Sequence, residues 1–248
     1  MTVLADSAGG ARIAKVIARA GLCSRREAER WIAEGRVAVN GRVLASPAVT
    51  VGEADVVTVD GRPLPDRPKV RLWRYHKPPG LLTTHSDPAG RPTVFERLPP
   101  ELGRLISVGR LDLTSEGLLL LTNAGALARH LELPSTGWTR RYRARVYGIV
   151  DEAGLAALAH GIAVDGIRYG AVQARIDSQR GDNAWLTVSL GEGKNREVRR
   201  VLEHLGLRVN RLIRVGYGPF QLGGLARGEV KEVPARVLRD QLGGKLAF

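Results

Sequence analysis

The sequence predicts an α+β protein with a small N-terminal domain and a larger C-terminal domain, and three observations lead to this expectation. Residues 11–44 follow the order helix, helix, hairpin. Residues 61–69 contain three prolines and few side chains that could pack, which is typical of a linker. After residue 70, strand-like alternation and helical periodicity take turns along the chain. We therefore expect domains at residues 11–60 and 70–248, joined by a linker at residues 61–69.

The first domain begins with a short amphipathic helix, because Ile13, Val16 and Ile17 share one helical face beside Arg12 and Lys15. A second helix is predicted to begin at residues 24–27, whose Ser-Arg-Arg-Glu sequence is a capping box, and to end at Gly35. An Asn-Gly pair at residues 40–41 then favours a tight hairpin turn between two short strands.

The second domain shows six strand-like and four helix-like stretches. The strands are predicted at residues 70–75, 118–121, 138–147, 172–176, 184–190 and 209–215, and the helices at residues 125–131, 151–160, 197–205 and after residue 233. In the strand at residues 138–147, Tyr142, Ala144 and Val146 point one way, while Arg141, Arg143, Arg145 and Tyr147 point the other.

The charge balance suggests a polyanionic partner. The chain has 38 Lys+Arg against 25 Asp+Glu, a formal net charge of +13, which favours nucleic acid over a neutral ligand. The alternative is a basic surface without a dedicated ligand.

Cys23 is the single cysteine, and neither a signal pattern nor an apolar run of membrane-spanning length is present. We therefore expect a cytoplasmic protein without membrane contact.

Several familiar chemistries are excluded by spacing. The stretch Gly191 to Asn195 resembles a phosphate-binding loop, but Val188 stands where that loop needs glycine, and no hydroxyl residue follows Lys194. The five histidines show no ligand spacing, and no serine lies in a nucleophile-elbow pattern. We expect neither a metal nor a cofactor.

Asp112 is the candidate nucleophile. It lies inside an apolar frame between Gly109 and Gly117 and precedes the leucine run at residues 118–121, which is predicted to be a buried strand. A cation beside such a carboxylate would favour its ionised form, which is a competent nucleophile. The structural alternative is a turn or cap residue before that strand.

A dense basic segment supplies candidate cations. Lys194, Arg196, Arg199 and Arg200 surround Glu197 at the start of a predicted helix, where Lys194 could reach an anion. The alternative is a solvated helix face, which is the common role of a charge run. Tyr142 could offer a stacking face, although an aromatic residue on a strand is more often part of a core.

Four motifs and the first domain carry a resemblance to a known family. Residues 12–18, 24–28 and 35–41 resemble the S4 domain, a small RNA-binding module. Residues 109–125 resemble the active-site motif of the RsuA/RluB family of pseudouridine synthases, and residues 77–80, 141–143 and 193–200 are similar to that family's other motifs, in the same order. The resemblance covers residues 11–230. It departs from the family at residues 140–141, where two arginines replace the usual lysine before the tyrosine.

The resemblance implies a fold and a set of roles. The catalytic domain would have the pseudouridine synthase fold, a mostly antiparallel mixed sheet flanked by helices. Asp112 would be the nucleophile, Tyr142 the aromatic residue that stacks on the target base, and Lys194 the cation paired with Asp112. The expected RNA-binding residues are basic: Arg12, Lys15, Arg25, Arg26, Arg110, Arg141, Arg196, Arg199 and Arg200.

The resemblance also implies an activity. We expect a monomer that isomerises one uridine of ribosomal RNA, or of a pre-ribosomal particle, to pseudouridine. The wording of the motif at residues 193–200 is closer to the large-subunit (23S) branch than to the small-subunit branch. Two functions of a different kind stay open, a non-catalytic S4-type RNA-binding or ribosome-assembly protein and a nucleotide-dependent RNA enzyme.

Overall fold

The computed structural model describes residues 10–242, which form two sheet-based domains. Within residues 10–242, no helix combines the length and the apolar character needed to cross a membrane. The elements of the first domain are β1 (Ala11–Arg12), α1 (Ile13–Arg19), α2 (Arg25–Ala33), β2 (Val37–Val39), β3 (Arg42–Val43), β4 (Thr50–Val51), β5 (Val57–Val59) and β6 (Arg62–Pro63).

The two helices of the first domain pack on a small sheet of order β3-β2-β5-β6. Ser24 caps α2 by accepting a hydrogen bond from the Glu27 amide (3.0 Å), as the capping box predicts. Asn40 and Gly41 both have positive φ at the turn between β2 and β3, which confirms the predicted hairpin. Ile13, Ile17 and other apolar side chains form a separate core here.

The stretch predicted as a linker, residues 61–69, is partly structured. Arg62 and Pro63 form β6, which pairs with β5, and Leu64 packs against the core of the first domain. Pro63 fits there because β6 is an edge strand, where a missing amide donor breaks no interior ladder. The extended connection therefore begins after Leu64 and not at Gly61.

The second domain holds the remaining elements. They are β7 (Leu72–Lys77), β8 (Ile106–Val108), β9 (Ser115–Thr122), α3 (Gly125–Glu132), β10 (Arg140–Tyr147), α4 (Glu152–Ala157), β11 (Ile162–Val164), β12 (Ile167–Tyr169), β13 (Val172–Arg180), β14 (Asn183–Leu190), α5 (Glu197–His204), β15 (Arg208–Tyr217), β16 (Phe220–Gln221), β17 (Val230–Glu232) and α6 (Ala235–Leu242).

Within residues 10–242, nine strands form one mixed sheet. Its main order is β13-β14-β10-β15-β9-β7-β17, with β16 on β15 and β8 on β9. The pairing of β9 with β15 is parallel, while the other pairings are antiparallel. This confirms the predicted fold class, a mostly antiparallel mixed sheet with helices beside it.

The two halves of the sheet are covered on opposite faces. Over β10 and β14, the helices α4 and α5 pack against Tyr142, Ala144 and Val146. Over β7 and β9, the helices α3 and α6 pack on the other face, against Leu118 and Leu120. The leucine run is fully buried because β9 is central and has a helix-backed core on each side.

Candidate active site

A cleft of about 730 Å³ opens beside the parallel pair β9 and β15. The turn before β9, the start of β10 and the segment before α5 contribute its walls. It therefore brings together three motifs that are far apart in the sequence. Its lining includes Gly109, Arg110, Asp112, Arg140, Tyr142, Leu190, Lys194, Arg196, Arg214 and Tyr217.

Asp112 lies in a tight turn that immediately precedes β9. Its backbone carbonyl accepts a hydrogen bond from the Ser115 amide (3.0 Å). Gly109 and Gly117, at either side, have φ of 64° and 102°, values that favour glycine. The Asp112 side chain is one-third exposed and lines the cleft, so its carboxylate is accessible to a ligand.

Lys77, at the end of β7, holds this turn in place from the protein interior. It is fully buried, and its Nζ donates to the backbone carbonyls of Asp112 (3.1 Å) and Ser115 (2.9 Å). It also donates to the carbonyls of Pro78 and Leu113. Burial lowers the pKa of the ammonium to about 8, while the charges of Asp112 and Glu116 oppose that shift. The ammonium thus replaces its water shell with carbonyl oxygens of the Asp112 turn.

The structure does not pair Lys194 with Asp112, so this expectation needs correction. Lys194 Nζ lies 2.9 Å from a Glu192 oxygen and also donates to the Arg168 carbonyl. The cation facing Asp112 is Arg196, whose Nη1 lies 3.9 Å from Oδ2. The reason is local, because Glu192 is only two residues from Lys194 and its carboxylate forms an ion pair with the Lys194 ammonium.

Arg196 reaches the cleft through an unusual backbone conformation. It caps the N-terminus of α5 with φ 51° and ψ 28°, in the left-handed region. Such a conformation costs a non-glycine residue about 1 kcal/mol or more, and it persists where the surrounding structure fixes it. Here it turns the side chain towards Asp112 while Glu197 starts the helix.

Tyr142 lines the cleft and is 8% exposed, on the inward face of β10. The predicted alternation of this strand is confirmed, because its residues are alternately buried and exposed from Arg140 to Tyr147. The same alternation points Arg141 away from the cleft, where it donates to Gln221 Oε1 (2.6 Å), so any contact of Arg141 with RNA lies outside the cleft. Arg140 lines the cleft instead and donates to the Tyr217 hydroxyl (3.0 Å).

Two further arginines are buried near the cleft. Arg199 is 6% exposed and donates to the Val209 carbonyl (2.9 Å), and burial lowers its pKa. The Arg199 side chain is therefore mostly shielded from a ligand in this conformation, and its expected contact with RNA stays a prediction. Arg214 lines the cleft, donates to the Leu118 carbonyl (2.7 Å) and keeps a buried Nη2 without a hydrogen-bond partner among the described residues.

The other predicted RNA-binding residues lie in two places. Arg12, Arg25 and Arg26 are exposed in the first domain, where Lys15 is half-buried. Arg110 is exposed at the cleft, and Arg200 is half-buried on α5.

A pair of carboxylates lies at the start of α5. Glu197 is 3% exposed and accepts a hydrogen bond from the Lys194 amide (2.8 Å). Burial raises the pKa of its carboxyl to about 7, and the neighbouring Glu192 carboxylate adds to that shift. Hydrogen bonds from Gly170 and Lys194 lower the pKa of Glu192 instead, against the effect of its own burial. The pKa values of these two neighbouring carboxyls are therefore shifted in opposite directions.

Sequence reasoning missed Arg140 and Arg214 at the cleft and the role of Lys77. The alternation of β10 places Arg140 on the face of Tyr142, which is a signal that could have identified it. Lys77 had no such signal, because a buried lysine can be recognised only from the carbonyls that surround it.

Two family models match the chain, and together they cover both domains. The S4 domain model matches residues 11–57. The RNA pseudouridylate synthase model matches residues 71–204, which is more than half of the chain.

Curated relatives and a solved structure agree with these models. An uncharacterized RNA pseudouridine synthase of Rickettsia felis is 48% identical over 92% of this chain and 98% of its own length. Ribosomal large subunit pseudouridine synthase B is 44% identical in Shigella flexneri, over 88% of this chain and 77% of the relative. The Haemophilus influenzae protein of that name is 43% identical, over 91% and 65% respectively. A crystal structure of a pseudouridylate synthase superposes with a TM-score of 0.67 at 25% identity, covering 94% of this chain and all of the other.

Fold and site thus define an RNA-modifying enzyme that joins an S4 module to a catalytic domain. The chain belongs to the RsuA/RluB family of RNA pseudouridine synthases.

Proposed function

We propose that this enzyme converts one uridine of large-subunit (23S) ribosomal RNA to pseudouridine, with Asp112 as the nucleophile. Relatives named for the ribosomal large subunit, at 43–44% identity over about nine-tenths of the chain, support the choice of RNA. The observation that carries the nucleophile is the Asp112 turn. Its carboxylate is accessible in the cleft while its backbone is fixed by Lys77 and Ser115.

The reaction rearranges bonds within one nucleotide. The bond from uracil N1 to ribose C1′ breaks, and C5 of the detached base joins C1′. The proton on C5 is released, and N1 gains one. Asp112 attacks either uracil C6 or ribose C1′ and is regenerated in the last step, so the balance needs no redox partner. The target uridine must leave its stack to reach a nucleophile inside a cleft.

The cleft residues divide the remaining work. Tyr142 lines the cleft on a rigid central strand and supplies a ring face against which the flipped base can stack. Arg196 keeps a positive charge 3.9 Å from the Asp112 carboxylate, where it can stabilise negative charge that develops during the reaction. Lys194 lines the same cleft and remains a candidate to contact the substrate, although its ammonium is held by Glu192.

Three further expectations stay part of this proposal. The enzyme acts as a monomer in the cytoplasm, and it takes either free ribosomal RNA or a pre-ribosomal particle as substrate. The S4 domain grips RNA backbone while the catalytic domain, from about residue 70 onwards, carries the chemistry. The exposed arginines of the first domain support this division, because guanidinium groups pair with phosphates.

Release of tritium tests the nucleophile directly. Ribosomal RNA labelled with tritium at uridine C5 loses the label when C5 joins C1′. We expect release with the wild type and with Asp240→Asn, a control at an exposed carboxylate on α6. Asp112→Asn and Asp112→Ala should release none above background. Release at the wild-type rate by either Asp112 variant would refute the assignment.

A further inference from the structure

The sheet of the catalytic domain has an uncovered face that the active site does not use. On β10, β13 and β14, the helices α4 and α5 cover the side that carries Tyr142 and Ala144. The opposite side of these strands is exposed or half-buried, and α3 and α6 pack farther along, over β7 and β9. Within residues 10–242, no helix packs on this opposite side.

This face is rich in arginine. Register places Arg175 of β13 and Arg143 of β10 on either side of Thr187 in β14, and Arg145 beside Trp185. We call the following set the arginine face: Arg141, Arg143, Arg145, Arg175 and Arg211, with Trp185 at its centre. Neighbouring strands are about 4.8 Å apart, so Arg175 of β13 lies about 10 Å from the row of arginines on β10.

The acidic residues on this side neutralise only part of that charge. Asp177 lies 3.5 Å from both Arg143 and Arg175, and Glu116 is paired with Arg211 and Arg227. The Arg175 side chain is nevertheless 74% exposed, and that of Arg143 is 46% exposed. Guanidinium edges therefore remain open to solvent and to a ligand.

Trp185 orders two of these arginines. The guanidinium carbons of Arg143 and Arg211 lie 4.7 Å and 5.9 Å from centroids of its ring system. Stacking on an indole restricts a guanidinium group without using its five N–H donors. Arg143 and Arg211 therefore lose less side-chain freedom when they bind an anion, which favours phosphate recognition at this place.

We propose that the arginine face binds the sugar–phosphate backbone of an RNA helix, in a part of the substrate RNA outside the cleft. The inference rests on the proposed function, since RNA is the polyanion that an rRNA-modifying enzyme must hold. The face is built from side chains on neighbouring strands, and its charges are spread over those strands, so it suits a charged backbone more than a base in a pocket. Its central ring is already stacked with arginine, which leaves little room for the base stacking that single strands use.

The test uses full-length protein and an RNA duplex made only of guanosine and cytidine. This probe contains no uridine, so its binding does not depend on the chemistry of the cleft. The test variant is Arg143→Gln/Arg145→Gln/Arg175→Gln. The matched control, Lys231→Gln/Arg236→Gln/Arg239→Gln, removes three exposed charges on β17 and α6.

The test variant should bind the duplex about tenfold more weakly near physiological salt, because it loses phosphate contacts. Its slope of log K against log salt should be shallower by about 2 to 3, while the control should keep a slope closer to that of the wild type. An unchanged slope in the test variant would overturn the proposal. So would an equal loss in the control, which would mean that total charge alone matters.

Further measurements separate a folding defect, a failure of the proposed function and a different partner. Thermal unfolding shows whether the test variant is folded, and if it is not, the single change Arg175→Gln should still reduce the slope by about 1. Tritium release from ribosomal RNA by the wild type is measured in parallel. Its failure would refute the proposed function and leave the duplex result standing. A test variant that keeps RNA affinity but loses binding to an acidic ribosomal protein would also overturn the proposal.

Discussion

At the scale of single residues, Asp112 depends on cations of two different kinds. Lys77 is buried, and its ammonium donates to the carbonyl oxygens of Asp112 and Ser115 in the turn, so it sets the position of Asp112. Arg196 is part of the cleft wall and faces the carboxylate itself, so it interacts electrostatically with the reacting group. The two roles predict different consequences of mutation.

Arg196→Gln should lower kcat by about tenfold to a hundredfold, because it removes the charge that faces the Asp112 carboxylate. Lys194→Gln should lower kcat less, since the Lys194 ammonium is bound to Glu192 and not to Asp112. Single-turnover tritium release with both variants measures the difference. A larger loss in Lys194→Gln would restore the pairing that the family motif implies.

Lys77→Met should lower kcat with little change in KM, because the turn loses its three carbonyl contacts with the ammonium while the RNA-facing surface is intact. The thioether has a similar length and is tolerated in a buried site. Steady-state kinetics on ribosomal RNA measures kcat and KM separately and so tests this expectation. A raised KM with unchanged kcat would contradict a positioning role.

At this scale the sequence could predict that Asp112 is a functional residue, but it could not predict which cations contact the Asp112 turn. Asp112 stands out because a carboxylate between two glycines precedes a leucine run. The choice between Lys194 and Arg196 depends on one backbone conformation, the positive φ of Arg196, and on the competing Glu192. Sequence spacing contains neither.

At the scale of elements, β9 and β15 are held unusually close at Gly117. A Cβ on Gly117 would lie 2.3 Å from the Arg214 carbonyl oxygen and 2.7 Å from the Arg214 amide nitrogen. Both are backbone atoms, so a side chain at Gly117 could be accommodated only if β9 and β15 moved apart. Gly117 thus has two roles. It adopts the positive φ found near the Asp112 turn, and its lack of a side chain lets β15 approach β9.

Gly117→Ala should destabilise the fold by about 3 kcal/mol or more, through the clash and the positive φ. Urea unfolding measures this loss. Gly41→Ala is the matched control, since its φ is also positive but no atom lies within 4 Å of the added Cβ. Equal losses in the two variants would mean that φ alone, and not the close approach, is responsible.

The start of α5 should make stability depend on pH. The folded pKa of Glu197 is about 7 against an ordinary value of 4.5, so the native state binds more protons than the unfolded state between these values. Stability contributed by the protonated carboxyl is therefore present at low pH and is lost as pH rises through about 7.

Glu197→Gln should remove that dependence, because the amide keeps the acceptor for Lys194 without an ionisable group. We expect the variant to be about 1 to 3 kcal/mol more stable than the wild type at pH 8 and similar to it at pH 4.5. Urea unfolding at both pH values measures the difference. A variant less stable at pH 8 would contradict the account.

Periodicity and turn chemistry predicted the long elements and the short hairpin of the first domain, but they missed other short strands. The burial pattern of β10 and the turn at Asn40 could be predicted because they follow from local alternation and turn chemistry. The two-residue and three-residue strands, such as β16 and β17, exist only because longer strands offer them an edge. Residues 62–63 join the first sheet for the same reason.

At the scale of the whole molecule, the parallel pairing of β9 with β15 assembles the cleft. It pairs Gly117, five residues after Asp112, with Arg214 of β15, and β15 pairs in turn with β10, which carries Tyr142. The family resemblance could predict which motifs meet. Sequence physics alone could not, because register between distant strands is set by the packed sheet.

The S4 domain should contribute RNA affinity independently of the catalytic fold. Arg25→Gln/Arg26→Gln should weaken binding to ribosomal RNA and reduce its salt slope by about 1 to 2, without changing the midpoint of thermal unfolding. Arg42→Gln/Arg62→Gln is a matched pair on exposed strands of the same domain. Equal effects of both pairs would indicate general charge and not a defined helix surface.

The central claim is that Asp112 makes one pseudouridine in large-subunit ribosomal RNA. The most direct measurement maps pseudouridines in ribosomal RNA from cells whose sole copy of the gene encodes either the wild type or Asp112→Asn. We predict that one large-subunit position is pseudouridine with the wild type and remains uridine with the variant. An identical pseudouridine map in both strains would contradict the account.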